Sequence, residues 1–406
     1  MSHWPMRPTE KPRRFSMAWL GLSAVLLLPA ATPARPLHDF APVDAGARQL
    51  VLDYGLPGAS LRLSRGGVAL YRENYGAYTG SERLAIASAS KWLSALTLAR
   101  LVERGDLRWD STVGDFFPAA APAMRPITLA QLFSHTSGIT VADIPCLADR
   151  QKTLQACALE ILAVPRVAAP GTVFAYGGNS MQVAGAMAEL ATGESWDDLF
   201  IREVAQPLGL INTDWTAGAV RDGYVRNANP RIGGGARSTL DDYGRVLDML
   251  LAGGLHEGSS FLRADTLATM AFDRTVGLVV GYTPVPGYDF GYGIGQWVEA
   301  RDASGATYRV SSPGAFGFTP WVDWRSGSSG VIVVSGDGSR MRDDLTALEG
   351  LCLRQLDFVR TTNAAHKPSA GAAPAAHPAA APPLPASPAR AAPPLRPALD
   401  GKGRAL

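Results

Sequence analysis

GASLRLSRGGVALYRENYG, Gly58 to Gly76, alternates apolar and polar residues on either side of a Ser-Arg-Gly-Gly turn, and the pattern predicts a β-hairpin. Just before it, DAGARQLVLDYG from Asp44 has helical spacing. From Ser88 to about Leu251 helical segments and Gly/Pro-rich loops dominate. Strand signals return in YGIGQWVEA from Tyr292, ATYRVSS from Ala306, GFTPWVDW from Gly317 and GVIVVSGDG from Gly330. A last helix follows, from about Arg342 to Val359. Strands from both ends of the chain therefore flank a helical middle. The expected class is α+β: one antiparallel sheet built from both chain ends, covered by terminal helices, with a mostly helical lobe inserted. A cleft between the two parts is the natural place for a site.

The chain has 406 residues, 47% of them apolar and 18% charged, which is ample for a buried core. Lysines and arginines number 38 against 36 acidic residues, with no basic stripe interleaved with aromatics, so nucleic acid is not an expected partner. At the N-terminus Arg13 and Arg14 close a basic lead-in to MAWLGLSAVLLLPAA, and small residues run to Ala34. Residues 1–34 read as an export signal, too short in its apolar run for a comfortable membrane span; the same pattern also precedes an uncleaved anchor. A periplasmic or secreted location is expected, with membrane contact only through that signal. Export permits disulfides. Cys146 and Cys157 bracket a short segment and are the preferred pair, though spacing alone does not prove it, while Cys352 lies in a helical pattern as a buried free thiol. From 361 to 406 alanine and proline dominate, and a disordered tail is expected, leaving 35–360 as the folded domain.

SASKWLSALTLARLVERG, from Ser88, sets a serine and a lysine three apart at the head of an apolar helix that Gly105 stops. Residues at that spacing share a helix face, so the Lys91 amine can reach the Ser88 hydroxyl. A hydroxyl is a weak nucleophile until a base takes its proton, and a lysine whose pKa is lowered by burial can be that base. The plainer alternative is an N-cap serine beside a solvated lysine. It is disfavoured by Trp92 and the apolar run, which predict burial.

Other segments follow in a recognisable order: ITLAQLFSHTSGI from Ile127, FAYGGNSMQVAGAMAELATG from Phe174, GGGARSTLDDYGRVLDMLLAGG from Gly233 and SSPGAFGFTPWVDW from Ser311. Together with the Ser88–Lys91 pair they resemble the serine β-lactamase and penicillin-binding-protein superfamily over roughly Arg35 to Arg360, closest to its class-C-like branch of esterases and D-amino-acid peptidases. The resemblance implies the sheet-plus-helical-lobe fold and acyl transfer through a covalent serine ester.

It also implies roles. Tyr176 matches the tyrosine of a Tyr-x-Asn motif that shares proton transfer with the lysine. Gly178 stands where the asparagine belongs, and Asn179 comes one later; the family's next glycine falls at Gly185 without a gap. Asn179 is thus either a displaced substrate contact or a helix cap. The third motif, normally Lys or His, a small residue, then Gly, becomes Ser312, Pro313, Gly314. Gly314 would let substrate lie against the strand, and the N–H of Ala315 would join that of Ser88 as an oxyanion hole. Ser312 replaces the cation that grips a substrate carboxylate. Arg309, three along the strand, should point to the opposite face.

His135 is assigned to the scaffold, as are Asp241 and Asp242 at a helix start. GYGIGQ lacks a surrounding β-α-β unit, and no metal-ligand spacing appears, so neither nucleotide, metal nor other cofactor is expected. Trp321 and Trp324 either line the cleft or pack beneath it. The expected function is an exported serine hydrolase, an esterase or amidase acting on a small ester or amide. The alternatives are a β-lactamase or D-alanyl peptidase on cell-wall peptide, and a non-catalytic binding relative.

Overall fold

In the computed structural model, which describes residues 38–215 and 226–363, the hairpin is formed by β1 (Gly58–Arg65) and β2 (Val68–Gly76). Gly66 and Gly67 turn it with φ of +55° and +79°, a pair that glycine adopts without a Cβ penalty. The far edge of β1 does not end the sheet. It pairs antiparallel with β7 (Ser328–Val333), Ser60 opposite Val333 and Arg65 opposite Ser328. Beyond β7 lie β6 (Thr319–Asp323), β5 (Thr307–Ser311), β4 (Trp297–Arg301) and β3 (Gly291–Tyr292), giving the order β2-β1-β7-β6-β5-β4-β3. The first two strands and the last five thus form one seven-stranded antiparallel sheet, as the strand signals at the two ends imply.

Its central strands are buried on both sides. Leu61 and Leu63 point into a cluster with Val43, Ala47 and Leu50 of α1 (Ala41–Asp53) and Leu345, Leu348 and Cys352 of α6 (Arg342–Asn363). Burying each leucine contributes roughly 1.5–3 kcal/mol. Trp321 lies wholly buried in this same cluster, beneath the sheet, while the Trp324 indole donates to the carbonyl of Leu250 at 3.0 Å and lines a shallow pocket with Gly66 and Gly67 of the hairpin turn. On the other face Arg62 reaches Asp248 and the carbonyl of Gly244 in α5 (Leu240–Leu251), whose first turn is capped by the Thr239 hydroxyl.

The inserted part contains α2 (Ser90–Arg104), α3 (Leu154–Ala163) and α4 (Asn179–Thr192). Eleven of the fifteen residues of α2 are buried, so it runs through the middle of the lobe rather than over its surface. Gly105, with φ of +84°, ends it. A disulfide joins Cys146 to Cys157, tying the loop ahead of α3 to that helix; Cys352 is free and buried. The export signal read at 1–34 lies outside the described residues. So does the Ala/Pro-rich tail beyond Asn363, and α6 crosses the boundary drawn at 360.

Candidate active site

The segment that carries Ser88 leaves the short strand Leu84–Ala85, which pairs with Arg237–Ser238. Ile86 then donates to the carbonyl of Ala236, and Ala87 adopts φ of +44°, a left-handed conformation that a side chain makes costly. That bend lifts Ser88 into a 3-10 turn, Ala87–Ala89, ahead of α2. The N-cap of α2 is Ala89, without a side-chain cap, so Ser88 is not a helix cap. Its hydroxyl meets Lys91 instead: Nζ lies 3.0 Å from Ser88 Oγ.

Lys91 is 4% exposed and no carboxylate among the described residues pairs with it. Burial, assisted by the positive charge of Arg231, pushes its amine down to about 7. Its second acceptor is the carbonyl of Gly233, at 2.6 Å. That carbonyl is itself held in place. Gln182 of α4 accepts from Ile232 N–H and donates to Asn229 Oδ1 and the carbonyl of Pro230, while Ser94 donates to the carbonyl of Ile232. Ser90 bridges the carbonyl of Ala87 and the N–H of Ala236. Sequence reasoning passed over Ser90, Ser94, Gln182 and Asn229. The available signal was three polar residues, 90, 91 and 94, on one face of an otherwise apolar helix.

Tyr176 stands between the strand Val173–Ala175 and α4, its N–H donating to the carbonyl of Tyr282 at 3.0 Å. The phenol lies beside Ser88, near enough for the hydroxyl to influence its titration. Its ring stacks on Trp297 at 5.1 Å between centroids, with Lys91 Nζ 4.7 Å from its centre. Burial pushes the phenol well above its ordinary value, and the neighbouring Ser88 hydroxyl opposes that shift only in part. Tyr176 therefore stays protonated near neutrality, whereas Lys91 can be a free amine. Of the two groups expected to share the Ser88 proton, the lysine has the base's pKa.

Asn179 departs from both expectations. Gly178 holds the N-cap position of α4, and the Asn179 amide donates to the carbonyls of Thr140 and Ala142 at 2.7 and 2.9 Å from a 2% exposed position. One residue turns a side chain by about 100° around a helix, which here directs it into the loop behind the site instead of at substrate.

One further correction concerns the third motif. Ser312 is 3% exposed, and its hydroxyl donates to the carbonyl of Ser88 at 3.2 Å, so it braces the nucleophile's backbone instead of facing substrate. A Cβ on Gly314 would lie 2.1 Å from the carbonyl oxygen of Ile86; the missing side chain lets the segment after β5 close on the nucleophile's own backbone. Ala315, next along, is exposed, and neither its N–H nor that of Ser88 is taken by a backbone acceptor among the described residues. Arg309 turns to the opposite face, where it pairs with Asp323 at 2.9 Å. GYGIGQ has a packing use: Gly295, at φ of +72°, lies where a Cβ would stand 2.7 Å from the carbonyl of Lys91. Among the described residues no group of three His, Cys, Asp or Glu side chains is placed to hold a metal ion.

A buried, unpaired lysine against a serine hydroxyl describes a means of making an alkoxide, and comparison with known proteins supplies its lineage. The family model described as Beta-lactamase matches residues 43–352. Penicillin-binding protein 4 of Amycolatopsis lactamdurans is 32% identical over 176 residues, covering 39% of this chain and 44% of the relative, so the chain spans less than half of that protein's length. Esterase EstB of Burkholderia gladioli is 26% identical over 408 residues, covering 84% of this chain and all of the relative. Among solved structures, a Bacteroides dorei protein assigned as a beta-lactamase superposes with a TM-score of 0.70 at 32% identity, covering 79% of this chain and 99% of that one. With most of its length matched by the family model, and a fold and sequence shared with these relatives, the chain belongs to the Beta-lactamase family.

Proposed function

We propose that the protein is an exported esterase or amidase that works through an acyl-enzyme on Ser88. The observation that carries this reading is Lys91: buried, free of carboxylate partners, pushed down to about 7 and 3.0 Å from Ser88 Oγ. At neutral pH a large fraction of such lysines is the free amine, which accepts the Ser88 proton as Oγ attacks the substrate carbonyl. The N–H groups of Ser88 and Ala315 receive the oxyanion, where one such donor is worth about 10²–10³ in rate. Tyr176, protonated and beside Ser88, gives its proton to the departing alcohol or amine and is reprotonated from the Lys91 ammonium. Water then attacks the ester, the same groups run in reverse, and the acid leaves. Ser312 offers no cation for a substrate carboxylate, which favours a neutral ester or amide. Export rests on the sequence of residues 1–34 and is supported by the Cys146–Cys157 disulfide.

A second reading, a peptidase or β-lactamase on carboxylate-bearing substrates, is favoured by Arg231. This exposed residue stands near enough to Lys91 for its charge to be felt there, and it brings a cation that Ser312 does not. The penicillin-binding relative points the same way.

The test is intact mass after incubation with a fluorophosphonate, p-nitrophenyl butyrate or a penicillin, for wild type and Ser88→Ala. A Ser88-dependent phosphonyl adduct with ester turnover is expected, and a stable penicilloyl adduct would favour the second reading. Full activity in Ser88→Ala would overturn the assignment.

A further inference from the structure

We propose that His135 is a positioning residue for Tyr176, acting as a neutral hydrogen-bond acceptor that fixes the backbone on both sides of that tyrosine. The inference rests on the role of Tyr176 in the reading above and adds to it a residue otherwise classed as scaffold.

His135 holds the segment at two points. Its carbonyl accepts from Ala175 N–H at 2.9 Å, and its ring Nδ1 accepts from Gly177 N–H at 3.3 Å. These are the residues immediately before and after Tyr176, whose own N–H is engaged by the carbonyl of Tyr282. The His135 ring also lies 4.5 Å from the Tyr176 ring between centroids, and it is 2% exposed. A φ of +58° lets the carbonyl and the ring of a single residue face the same stretch of chain. That is an uncommon conformation for a residue with a side chain, although histidine and asparagine visit it more readily than most.

An N–H pointing at Nδ1 requires a lone pair there, so the ring carries its proton on Nε2. Protonating Nδ1 would set two donors against each other and release Gly177. The surroundings oppose that proton. The ionisable and charged groups facing the ring are Tyr176, Tyr292 at 4.7 Å and Lys91. Phe174 closes a further side at 6.1 Å, edge-on. Burial and the positive charge of Lys91 together hold the imidazolium well below the usual histidine range.

Two substitutions separate the acceptor from mere packing. His135→Asn places Oδ1 at the same bond count as Nδ1 and tolerates positive φ. His135→Gly also tolerates that φ but offers no acceptor. Both lose the ring's contacts equally. With p-nitrophenyl butyrate, His135→Gly should lower kcat about 10²-fold, the scale of a catalytic group misplaced by about 1 Å, with KM within about threefold of wild type. His135→Asn should recover to within about tenfold of wild type. Equal loss in both variants, or wild-type kcat in the glycine variant, overturns the proposal. A reading that needs no variant is the tautomer in 15N-histidine-labelled wild type. A neutral Nε2–H ring at pH 6 is expected for His135, and an Nδ1–H ring or an imidazolium overturns it. Ser88→Ala runs alongside: absence of Ser88-dependent turnover in wild type would sink the enzymatic reading, whereas normal turnover in His135→Gly sinks only the positioning role.

Discussion

At Lys91 a single side chain links stability to chemistry. The folded amine is held near 7 while the unfolded one keeps its ordinary 10.5. Between those values the unfolded chain binds the extra proton, so the stability this group contributes is complete above 10.5 and is lost as pH falls towards 7. Urea unfolding of wild type and Lys91→Met should therefore diverge in the wild type's favour by about 1.36 kcal/mol per pH unit between pH 7.5 and 9.5. Parallel curves would mean an unshifted lysine. Turnover by wild type should rise through about pH 7 and level off above it, and Lys91→Met should lose about 10²–10⁴ in kcat. The pairing of Ser88 with Lys91 was legible in the sequence because helical geometry alone brings residues three apart together. The duties of Ser312 and Gly314 were not, since each depends on a carbonyl more than two hundred residues away, that of Ser88 or Ile86.

Between α4 and the loop at Thr140–Ala142, the Asn179 amide forms the link. Asn179→Ala leaves two carbonyls without their donor, a loss of about 1–3 kcal/mol if they stay buried. The expected outcome is a lower Tm with KM for p-nitrophenyl butyrate unchanged. A raised KM at unchanged Tm would instead make Asn179 a substrate contact. Elements themselves were well marked in the sequence: paired glycines turned the first hairpin, Gly105 stopped α2, and alternation located the late strands. Less legible was which face of an element does what. At Asn179 a one-residue displacement exchanged cleft for loop, and at His135 a turn that reads as scaffold grips the chain on both sides of Tyr176.

Across the whole molecule the sheet joins the two halves of the sequence, and its centre should be the most sensitive place to disturb. Leu61 is fully buried between the sheet and the terminal helices. Leu61→Ala should cost about 2–5 kcal/mol, read as a reduced urea midpoint, whereas an exposed leucine such as Leu52 should tolerate the same change within about 0.5 kcal/mol. Equal effects at the two positions would contradict the packing described. The architecture was readable because strand patterns clustered at the two ends with a helical middle between them, and few folds satisfy that order.

The pairing of β1 with β7 has a consequence for the life of the chain before it is complete. During synthesis β1 is made early, yet its inner edge has no strand to meet until Ser328–Val333 has emerged. Ala315, the proposed oxyanion donor, lies late as well, and the carbonyl that anchors Lys91 comes from Gly233. Contacts so distant in sequence form slowly, and an unpaired apolar edge exposed meanwhile invites association with other chains. A fragment ending before β7 would thus hold every residue of the candidate site yet lack the strand that joins β1 to the rest of the sheet, so the site would be assembled only when that last strand is in place.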